Sequence, residues 1–146
     1  MAASRKFAFS HTHQTTAPPA AVWRVWTDVD RWPAWDQGLA GAETDGPLQL
    51  QQTGTIIAHN VRRSPFVIST FTPGRAYTID TRLIGSTLYV HRYLEPMDTG
   101  TRFTHGVWFS GWTAGIFGRW LGPQFKTLLP QSMARIDQLA TQIASA

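Results

Sequence analysis

The feature that most constrains the fold of this chain is a change of hydrophobic period at Gly111. Between residues 53 and 110 the sequence carries five segments rich in β-branched and aromatic residues, separated by short turn sequences such as PG, GS and PMDTG. This spacing predicts an antiparallel meander. After Gly111 the apolar residues recur at helical spacing to about residue 144, which predicts one long helix. Pro123 and Pro130 lie inside that helix and are expected to kink or interrupt it, because each removes a backbone hydrogen bond.

The N-terminal third predicts one strand and then two short helices. Residues 5–15 alternate apolar and polar side chains as a strand does, and Pro18–Pro19 suit the first turn of the helix that follows. A second short helix is expected around Pro33, and residues 38–47 are rich in turn formers, with room for one short edge strand. The whole chain, residues 1–146, is therefore expected to form one α+β domain, in which a curved antiparallel sheet of six to seven strands packs against the C-terminal helix.

Composition narrows the classes of function. The chain has 146 residues, no cysteine and a net charge of +4, so disulfides and thiolate metal sites are excluded. Eleven of its thirteen basic residues are arginines, but they are scattered instead of forming a basic stripe, so no nucleic-acid partner is expected. The sequence shows neither a signal peptide nor an apolar run long enough to span a bilayer, which predicts a cytoplasmic protein.

The histidines do not predict a metal or cofactor site. His11 and His13 share one face of the first predicted strand, and two histidines at that spacing could begin a metal site. No third ligand accompanies them, so a solvated strand edge is the preferred interpretation. A Gly-rich phosphate loop, paired carboxylates and a Ser-His-Asp order are also absent from the sequence, and we expect no cofactor.

Several segments, taken in order along the chain, resemble one known family. They are APPAAVWRVWTDVDRWPAWD, a TGT that opens a strand, TPGRAYTID, YLEPMDTGTRFTH and, in the long helix, LGPQFKTLLPQSMARIDQLA. Together they resemble the SRPBCC superfamily, the START-like group with the helix-grip fold that includes polyketide cyclase/dehydrase-like proteins. The resemblance implies a sheet that wraps around the C-terminal helix, with a pocket between them. It implies no particular reaction, because the superfamily includes cyclases, lipid and quinone carriers and hormone-binding proteins without a universal catalytic set.

The hairpin of residues 88–109 allows two strand registers. In the first, His91 faces His105. In the second, Arg92 faces His105 and Glu95 forms an ion pair with Arg102 at the loop end. We prefer the second register, because cross-strand pairs of like character stabilise a sheet and because it forms three apolar pairs, Leu94 with Phe103, Val90 with Val107 and Leu88 with Phe109.

This register predicts that Arg92 and His105 lie side by side on the face that looks toward the helix. His59 could join them, because it shares a face with Ile57 and the resemblance implies that this face points inward. A buried arginine without a carboxylate would await an anionic or carbonyl-bearing ligand. The alternatives are that this face turns outward near the end of the sheet, or that Arg92 pairs with Asp36 or with a C-terminal carboxyl group. The candidate ligand-binding residues are Trp35, Ile57, His59, Tyr77, Ile79, Arg92, Phe103, His105, Phe109, Phe117, Trp120, Leu121 and Leu128.

The seven tryptophans are expected to divide between core and rim. Trp26 shares the inward helical face and is expected in the core, whereas Trp23 and Trp32 are expected to be partly exposed. The resemblance places Trp35 beside the cavity mouth. Trp35 and Trp120 are the tryptophans expected to touch a ligand; of the others, Trp108 is expected on the convex face of the sheet and Trp112 near the start of the long helix.

Three functions stay open at the level of sequence. The leading hypothesis is a protein that binds a hydrophobic, aromatic small molecule in a cavity between the sheet and the C-terminal helix. The second is a polyketide cyclase or dehydratase in which His105, His59, Arg92 or a tyrosine moves a proton. The third is an interaction module that docks a protein or a membrane surface through exposed tryptophans. A homodimer is left open.

Overall fold

The computed structural model describes residues 8–146, so the first part of the strand predicted over residues 5–15, including Phe7, lies outside the described residues. Residues 8–146 form seven strands and two α-helices, with one 3₁₀ helix (Val29–Ala34) after α1. In chain order these are β1 (Phe9–Thr15), α1 (Pro19–Thr27), β2 (Gly41–Thr44), β3 (Thr53–Ile57), β4 (Arg63–Thr72), β5 (Ala76–Leu83), β6 (Ser86–Met97), β7 (Gly100–Gly111) and α2 (Ala114–Ser145).

All seven strands form one antiparallel sheet in the order β1-β7-β6-β5-β4-β3-β2. The short strand β2 is the edge strand anticipated among the turn-rich residues 38–47. Helix α2 packs against β1 and β7, and α1 packs against α2. The prediction of an α+β fold with a sheet around one long C-terminal helix is therefore confirmed. No helix in residues 8–146 is both long enough and apolar enough to cross a bilayer.

The register of the β6–β7 hairpin is the second of the two that the sequence allowed. Arg92 lies opposite His105, and Glu95 lies opposite Arg102, whose Nη2 donates to Glu95 Oε2 at 2.7 Å. The three expected apolar pairs are also present, Leu88 with Phe109, Val90 with Val107 and Leu94 with Phe103. Because side chains alternate across a strand, this register fixes which residues of both strands look toward α2.

Helix α2 continues through both of its prolines, so the expected interruption at Pro123 and Pro130 does not occur. Each proline costs the helix one backbone hydrogen bond. The packing of α2 against β1, β7 and α1 offsets that loss. Near its C-terminal end, Asp137 accepts hydrogen bonds from Thr15 Oγ1 at 2.5 Å and contacts His13 Nε2 at 2.9 Å. His13 therefore joins β1 to α2, and the expectation of a solvated edge at this residue is wrong.

Aromatic side chains fill the space between α1, the 3₁₀ helix and the sheet. Trp26 is fully buried and its ring lies 6.1 Å from the rings of Tyr77 and Phe103. Trp32 is 0% exposed, so the expectation of partial exposure is wrong for this residue. The 3₁₀ helix turns its indole beneath α1, where Nε1 donates to the Trp26 carbonyl oxygen at 2.9 Å. Trp23 is half-buried, as expected.

The buried apolar residues form two clusters with space between them. The larger cluster contains Trp26, Trp32, Trp35 and the inner face of β4 and β5, and the smaller one surrounds Val107 and the first half of α2. The side chains of neither cluster fill the region where the centre of the sheet faces the middle of α2.

Candidate ligand-binding site

A cavity of about 260 Å³ lies between the sheet and α2. This volume is just below the range of about 300–1,000 Å³ that is usual for sites that bury a small molecule. Its wall is largely apolar, with a few polar groups, and consists of Trp32, Trp35, Asp36, Gly38, Leu39, Ile56, Ala58, Ser64, Ile79, Thr81, Leu83, Leu88, Val90, Arg92, His105, Val107, Leu121, Gln124, Phe125, Leu128, Leu129 and Ser132.

Strand alternation and helical spacing explain why these residues meet. On β6, Leu88, Val90 and Arg92 occupy alternate positions and therefore share the inner face. Facing them, Leu121 and Leu128 follow one side of α2 at helical spacing. The exposed lining residues Gly38 and Gln124 mark the opening, which lies between the turn after the 3₁₀ helix and α2.

The guanidinium of Arg92 lies inside an aromatic cage at one end of the cavity. Arg92 is only 4% exposed, and its Cζ lies 4.7 Å from the ring centroid of Trp35, 5.1 Å from Trp32 and 5.6 Å from Tyr77. Its Nη1 donates to the Tyr77 hydroxyl at 2.8 Å, and that hydroxyl donates to the carbonyl oxygen of Trp26 at 2.7 Å. The π faces stabilise the cation without using its hydrogen-bond donors.

No carboxylate neutralises this cation directly. The ion pairs within residues 8–146 join His13 to Asp137, Arg63 to Glu43 and Arg102 to Glu95, so Arg92 has no carboxylate oxygen within 4.0 Å in the described part of the chain. Asp36 lines the same cavity, but its Oδ1 accepts from the Gly38 N–H at 3.0 Å instead. The alternative that Asp36 forms an ion pair with Arg92 is therefore wrong.

Three buried polar atoms of the cavity wall lack hydrogen-bond partners among the described residues. They are Nε of Arg92, Nε2 of His105 and Nε1 of Trp35. A buried polar group without a partner costs about 1–3 kcal/mol, and most buried groups in folded proteins avoid that cost. The fourth such side-chain atom in residues 8–146, Nε1 of Trp26, lies in the core outside the wall. Three of the four therefore belong to residues of one wall, as expected where a ligand supplies the missing partners.

Burial and the neighbouring cation set the charge states in the cavity. Desolvation by burial, reinforced by the positive charge of Arg92, lowers the pKa of His105 well below its ordinary value of 6.5. The imidazole is therefore neutral at neutral pH. Desolvation raises the pKa of Asp36 and of Tyr77, and in both cases the charge of Arg92 acts in the opposite direction.

The lowered pKa of His105 predicts a pH-dependent stability. We expect the free energy of unfolding to fall as the pH drops below 6.5, because the unfolded chain then protonates His105 while the folded chain does not. The slope is at most about 1.4 kcal/mol per pH unit. Asp36 has the opposite effect on the free energy of unfolding. Because its pKa is raised in the folded state, Asp36 stabilises the fold in acid, and this stabilisation is lost as the pH rises through that pKa.

Urea unfolding of the wild type and of His105→Gln at a series of pH values from neutral to mildly acidic checks this expectation. The difference between the two proteins at each pH isolates His105 from Asp36 and from the other histidines. Parallel pH profiles for the two proteins would contradict the assignment of a neutral, buried His105.

Six of the thirteen candidate residues line the cavity, and seven do not. The lining ones are Trp35, Ile79, Arg92, His105, Leu121 and Leu128. Tyr77 and Phe103 are fully buried in the larger cluster behind the wall, and Phe109 and Phe117 pack in the smaller cluster. These four side chains support the wall without forming part of it.

Ile57 and His59 point away from the cavity, contrary to expectation. Gly54 pairs with the buried Phe66, which places the even-numbered residues of β3 on the inner face and Ile57 on the outer one. His59 is exposed, and its Nε2 donates to the Gln37 carbonyl oxygen at 2.7 Å. It therefore fastens the loop after β3 to the turn at the cavity opening.

Trp120 does not line the cavity, contrary to expectation, because its side chain is 64% exposed to solvent. On α2, Leu121 faces the cavity, and the residue before it lies about 100° around the helix on the solvent side. The hydrophobic stripe read from the sequence was broader than the face that α2 buries.

Some lining residues were missed although a signal for them existed. Val90 and Val107 follow directly from the chosen hairpin register, which puts both on the face of Arg92. Ile56 and Ala58 follow from the inward position of Phe66 once the β3–β4 pairing is known. Ser132 lies on the apolar stripe of α2, four residues after Leu128 and four before Ile136, so helical spacing carried the signal for it.

Other regions offer less to a ligand. A more open groove of about 330 Å³ lies between α1 and the C-terminal end of α2, but its arginines Arg24 and Arg31 are exposed to solvent. Within residues 8–146, no three His, Cys, Asp or Glu side chains are grouped so that they could hold a metal ion.

Comparison with known families agrees with this architecture. Residues 6–142 match the family described as polyketide cyclase / dehydrase and lipid transport. The chain belongs to this family. The resemblance to the SRPBCC superfamily is thereby confirmed. No curated protein matches the chain at a significant level.

Solved structures show the same fold at low sequence identity. Protein MLL2253 from Mesorhizobium loti is 19% identical with a TM-score of 0.75, over 92% of this chain and 97% of that one. The di-domain ARO/CYC StfQ from the steffimycin biosynthetic pathway is 9% identical with a TM-score of 0.76, over 96% of this chain and 52% of StfQ. Ara h 8.0201 is 13% identical with a TM-score of 0.70, over 92% of this chain and 97% of that one. At these identities the similarity establishes the fold alone.

Proposed function

We propose that this family member binds a hydrophobic, aromatic small molecule that carries one anionic or carbonyl oxygen. The apolar part of the ligand lies between Val90 on the sheet and Leu121 and Leu128 on α2, and its oxygen accepts hydrogen bonds from Arg92. The single observation that carries this proposal is a caged, buried guanidinium without a carboxylate partner on the wall of an apolar cavity.

Two further observations support an aromatic ligand. The indole of Trp35 and the indole of Trp32 both line the cavity and present flat surfaces against which a ring can stack. The volume of about 260 Å³ favours a ligand of one or two rings over a long acyl chain.

Binding of 2-naphthoate, compared with naphthalene, tests this proposal. We expect saturable quenching of tryptophan fluorescence by 2-naphthoate at micromolar concentrations and weaker binding of naphthalene. Val90→Phe, which fills the cavity, is expected to weaken naphthoate binding at least about tenfold by overlap with the ligand. Val67→Phe is the matched control, because Val67 lies outside the cavity wall on β4.

Equal binding by the two variants, or equal affinity for both probes, would contradict the proposal. Circular dichroism of each variant before the titration separates loss of binding from loss of the fold.

A second candidate, a cyclase or dehydratase, is favoured by one observation. His105 faces Arg92 across the hairpin, is neutral at neutral pH and lines the cavity, so it can accept a proton from a carbon next to a carbonyl that Arg92 polarises. Against it, no carboxylate of the described residues orients the imidazole.

Deuterium exchange into the methyl group of acetophenone tests this chemistry. A base removes a methyl proton, and solvent returns a deuteron, so exchange in D₂O reports proton abstraction without further reaction. Catalysis would be established if the wild type exchanges the methyl protons faster than buffer does, and if His105→Gln loses this acceleration but still binds naphthoate. No acceleration by the wild type would leave binding as the function.

The interaction-module hypothesis does not stand in its original form. It invoked three exposed tryptophans, Trp23, Trp32 and Trp108, but Trp32 is fully buried and Trp23 is half-buried. Trp108 lies on the outer face of the sheet, where its ring stacks on Tyr89 at 5.2 Å.

A further inference from the structure

Four large apolar side chains are exposed at one end of the molecule. They are Ile84 (65% exposed), Trp112 (85%), Ile116 (67%) and Trp120 (64%), and together they form the docking patch. Single exposed apolar residues are normal on protein surfaces, but two tryptophans and two isoleucines together are not. The other large apolar residues that are more than half exposed in the described chain, Leu50 and Val61, lie in separate loops.

The half of the docking patch around Ile84 and Trp112 is held by short contacts. Ile84 and Gly85 form the turn between β5 and β6, and the indole of Trp112 lies directly over Gly85, where a Cβ atom would come within 2.6 Å of the ring. Thr113 Oγ1 donates to the Ile84 carbonyl oxygen at 2.6 Å and also contacts Ser86 Oγ.

The helical half of the docking patch continues from there. Ile116 and Trp120 are four residues apart on α2 and therefore neighbours on its surface. The ring of Trp120 also lies 6.3 Å from that of Phe117, which packs in the smaller core cluster. The exposed tryptophans thus rest on ordered structure.

The charges around the docking patch are of one sign. Arg82 is exposed on β5, two residues before Ile84, and Arg119 is exposed on α2 next to Trp120. Lys126 is exposed farther along α2, where its Nζ lies 5.8 Å from the ring of Phe9. The sequence from residue 99 to residue 136 contains no Asp or Glu, although it includes all of β7 and about the first two thirds of α2. The acid nearest to Arg82 along its strand is Asp80, which accepts a hydrogen bond from Ser69 Oγ at 2.7 Å. An apolar surface whose helical half carries exposed arginine and no acid is complementary to an anionic surface.

We propose that the docking patch binds the surface of an anionic lipid bilayer. Tryptophan favours the boundary between water and lipid, because its ring is apolar and its N–H is polar. Lysine and arginine add attraction to anionic headgroups. Leu83 precedes Ile84 in the sequence and Leu121 follows Trp120, and both leucines line the cavity. A protein docked through the patch therefore holds one end of its cavity against the bilayer. This inference does not depend on which ligand the cavity takes.

Vesicle sedimentation with the full chain tests the proposal. We expect binding to vesicles of phosphatidylcholine mixed with phosphatidylglycerol, weaker binding to phosphatidylcholine alone, and a loss of the difference at high salt. Trp112→Ser combined with Trp120→Ser is expected to weaken binding to both vesicles at least about tenfold, because the apolar contact is lost. Leu50→Ser combined with Val61→Ser is the matched control and is expected to bind as the wild type does.

The exposed arginines beside the docking patch are tested separately. Arg82→Gln combined with Arg119→Gln is expected to weaken binding to the anionic vesicles by about fivefold for each charge removed and to leave binding to phosphatidylcholine unchanged. Arg24→Gln combined with Arg31→Gln removes two exposed charges elsewhere and is expected to have little effect.

Three results would overturn the proposal. The first is no binding to anionic vesicles beyond that to neutral ones, and the second is unchanged binding by the double tryptophan variant. The third is a wild-type dimer in analytical ultracentrifugation that the double tryptophan variant converts to a monomer, which would make a second copy of the chain the occupant. All substituted side chains are exposed, and circular dichroism verifies that each variant is folded.

Discussion

Replacing Arg92 with methionine is expected to weaken binding of 2-naphthoate about ten- to a hundredfold and to leave binding of naphthalene nearly unchanged. Hydrogen bonds to a charged group contribute about 1.5–3 kcal/mol each, and the variant removes the cationic donor while keeping an apolar side chain of similar length. Fluorescence or calorimetric titration with both probes measures the change. The prediction is specific to the ligand's oxygen, because the apolar part of the cavity is not altered.

The same substitution is expected not to destabilise the fold. Removing one partner of a buried ion pair usually costs about 3–5 kcal/mol, because a charge is left unpaired. Here the removed charge itself lacks a carboxylate partner, and Tyr77 keeps its hydrogen bond to the Trp26 carbonyl oxygen. We therefore expect the free energy of unfolding, measured in urea, to stay level or to rise. If the fold does not need Arg92 for its stability, ligand binding explains why the guanidinium is buried.

Asp36→Asn is the opposing variant. Asp36 lines the same cavity, and its negative charge works against an anionic ligand. We expect Asp36→Asn to tighten naphthoate binding while Arg92→Met weakens it. A fall in stability of several kcal/mol for Arg92→Met without a loss of naphthoate affinity would show that the guanidinium serves the core, and the proposed function would then fail.

The part of the site that could be predicted from the sequence is the part fixed by local pairing. The β6–β7 hairpin joins neighbouring segments, and its alternative registers differ by several apolar pairs, so the choice between them was decidable. That choice placed Arg92 opposite His105 and brought both to the inner face. The order of elements was equally decidable, because the period of apolar residues changes from two to about 3.6 where the sheet ends.

The part that could not be predicted depends on pairing and packing over longer distances. Thr55 and Ile57 are as apolar on average as Gly54 and Ile56, so β3 alone does not show which face is inner. The pairing with β4, where Phe66 crosses Gly54, decides it. Trp32 was expected to be partly exposed for a similar reason. The tryptophan of a short 3₁₀ helix can turn to either side, and the hydrogen bond from Trp32 Nε1 to the Trp26 carbonyl oxygen fixes the direction.

Replacing Trp32 with alanine is expected to give the largest loss of stability, about 3–5 kcal/mol in the free energy of unfolding. The substitution removes a fully buried indole, breaks the hydrogen bond from Nε1 to the Trp26 carbonyl oxygen and takes one wall from the Arg92 cage. The space left by the indole joins the existing cavity, so the neighbouring side chains cannot fill it. Urea unfolding followed by far-UV circular dichroism measures the change independently of tryptophan fluorescence.

Trp112→Ala is the matched control, since it deletes the same side chain from a position that is 85% exposed. We expect it to change the free energy of unfolding by no more than about 0.5 kcal/mol, as is usual for surface substitutions. The contrast between two tryptophans is the sharpest check of the placement of the 3₁₀ helix. Similar losses for both variants, or a loss below about 1 kcal/mol for Trp32→Ala, would mean that the indole of Trp32 is not packed against Phe66 and Trp26, and the aromatic cage around Arg92 would lose one of its three sides.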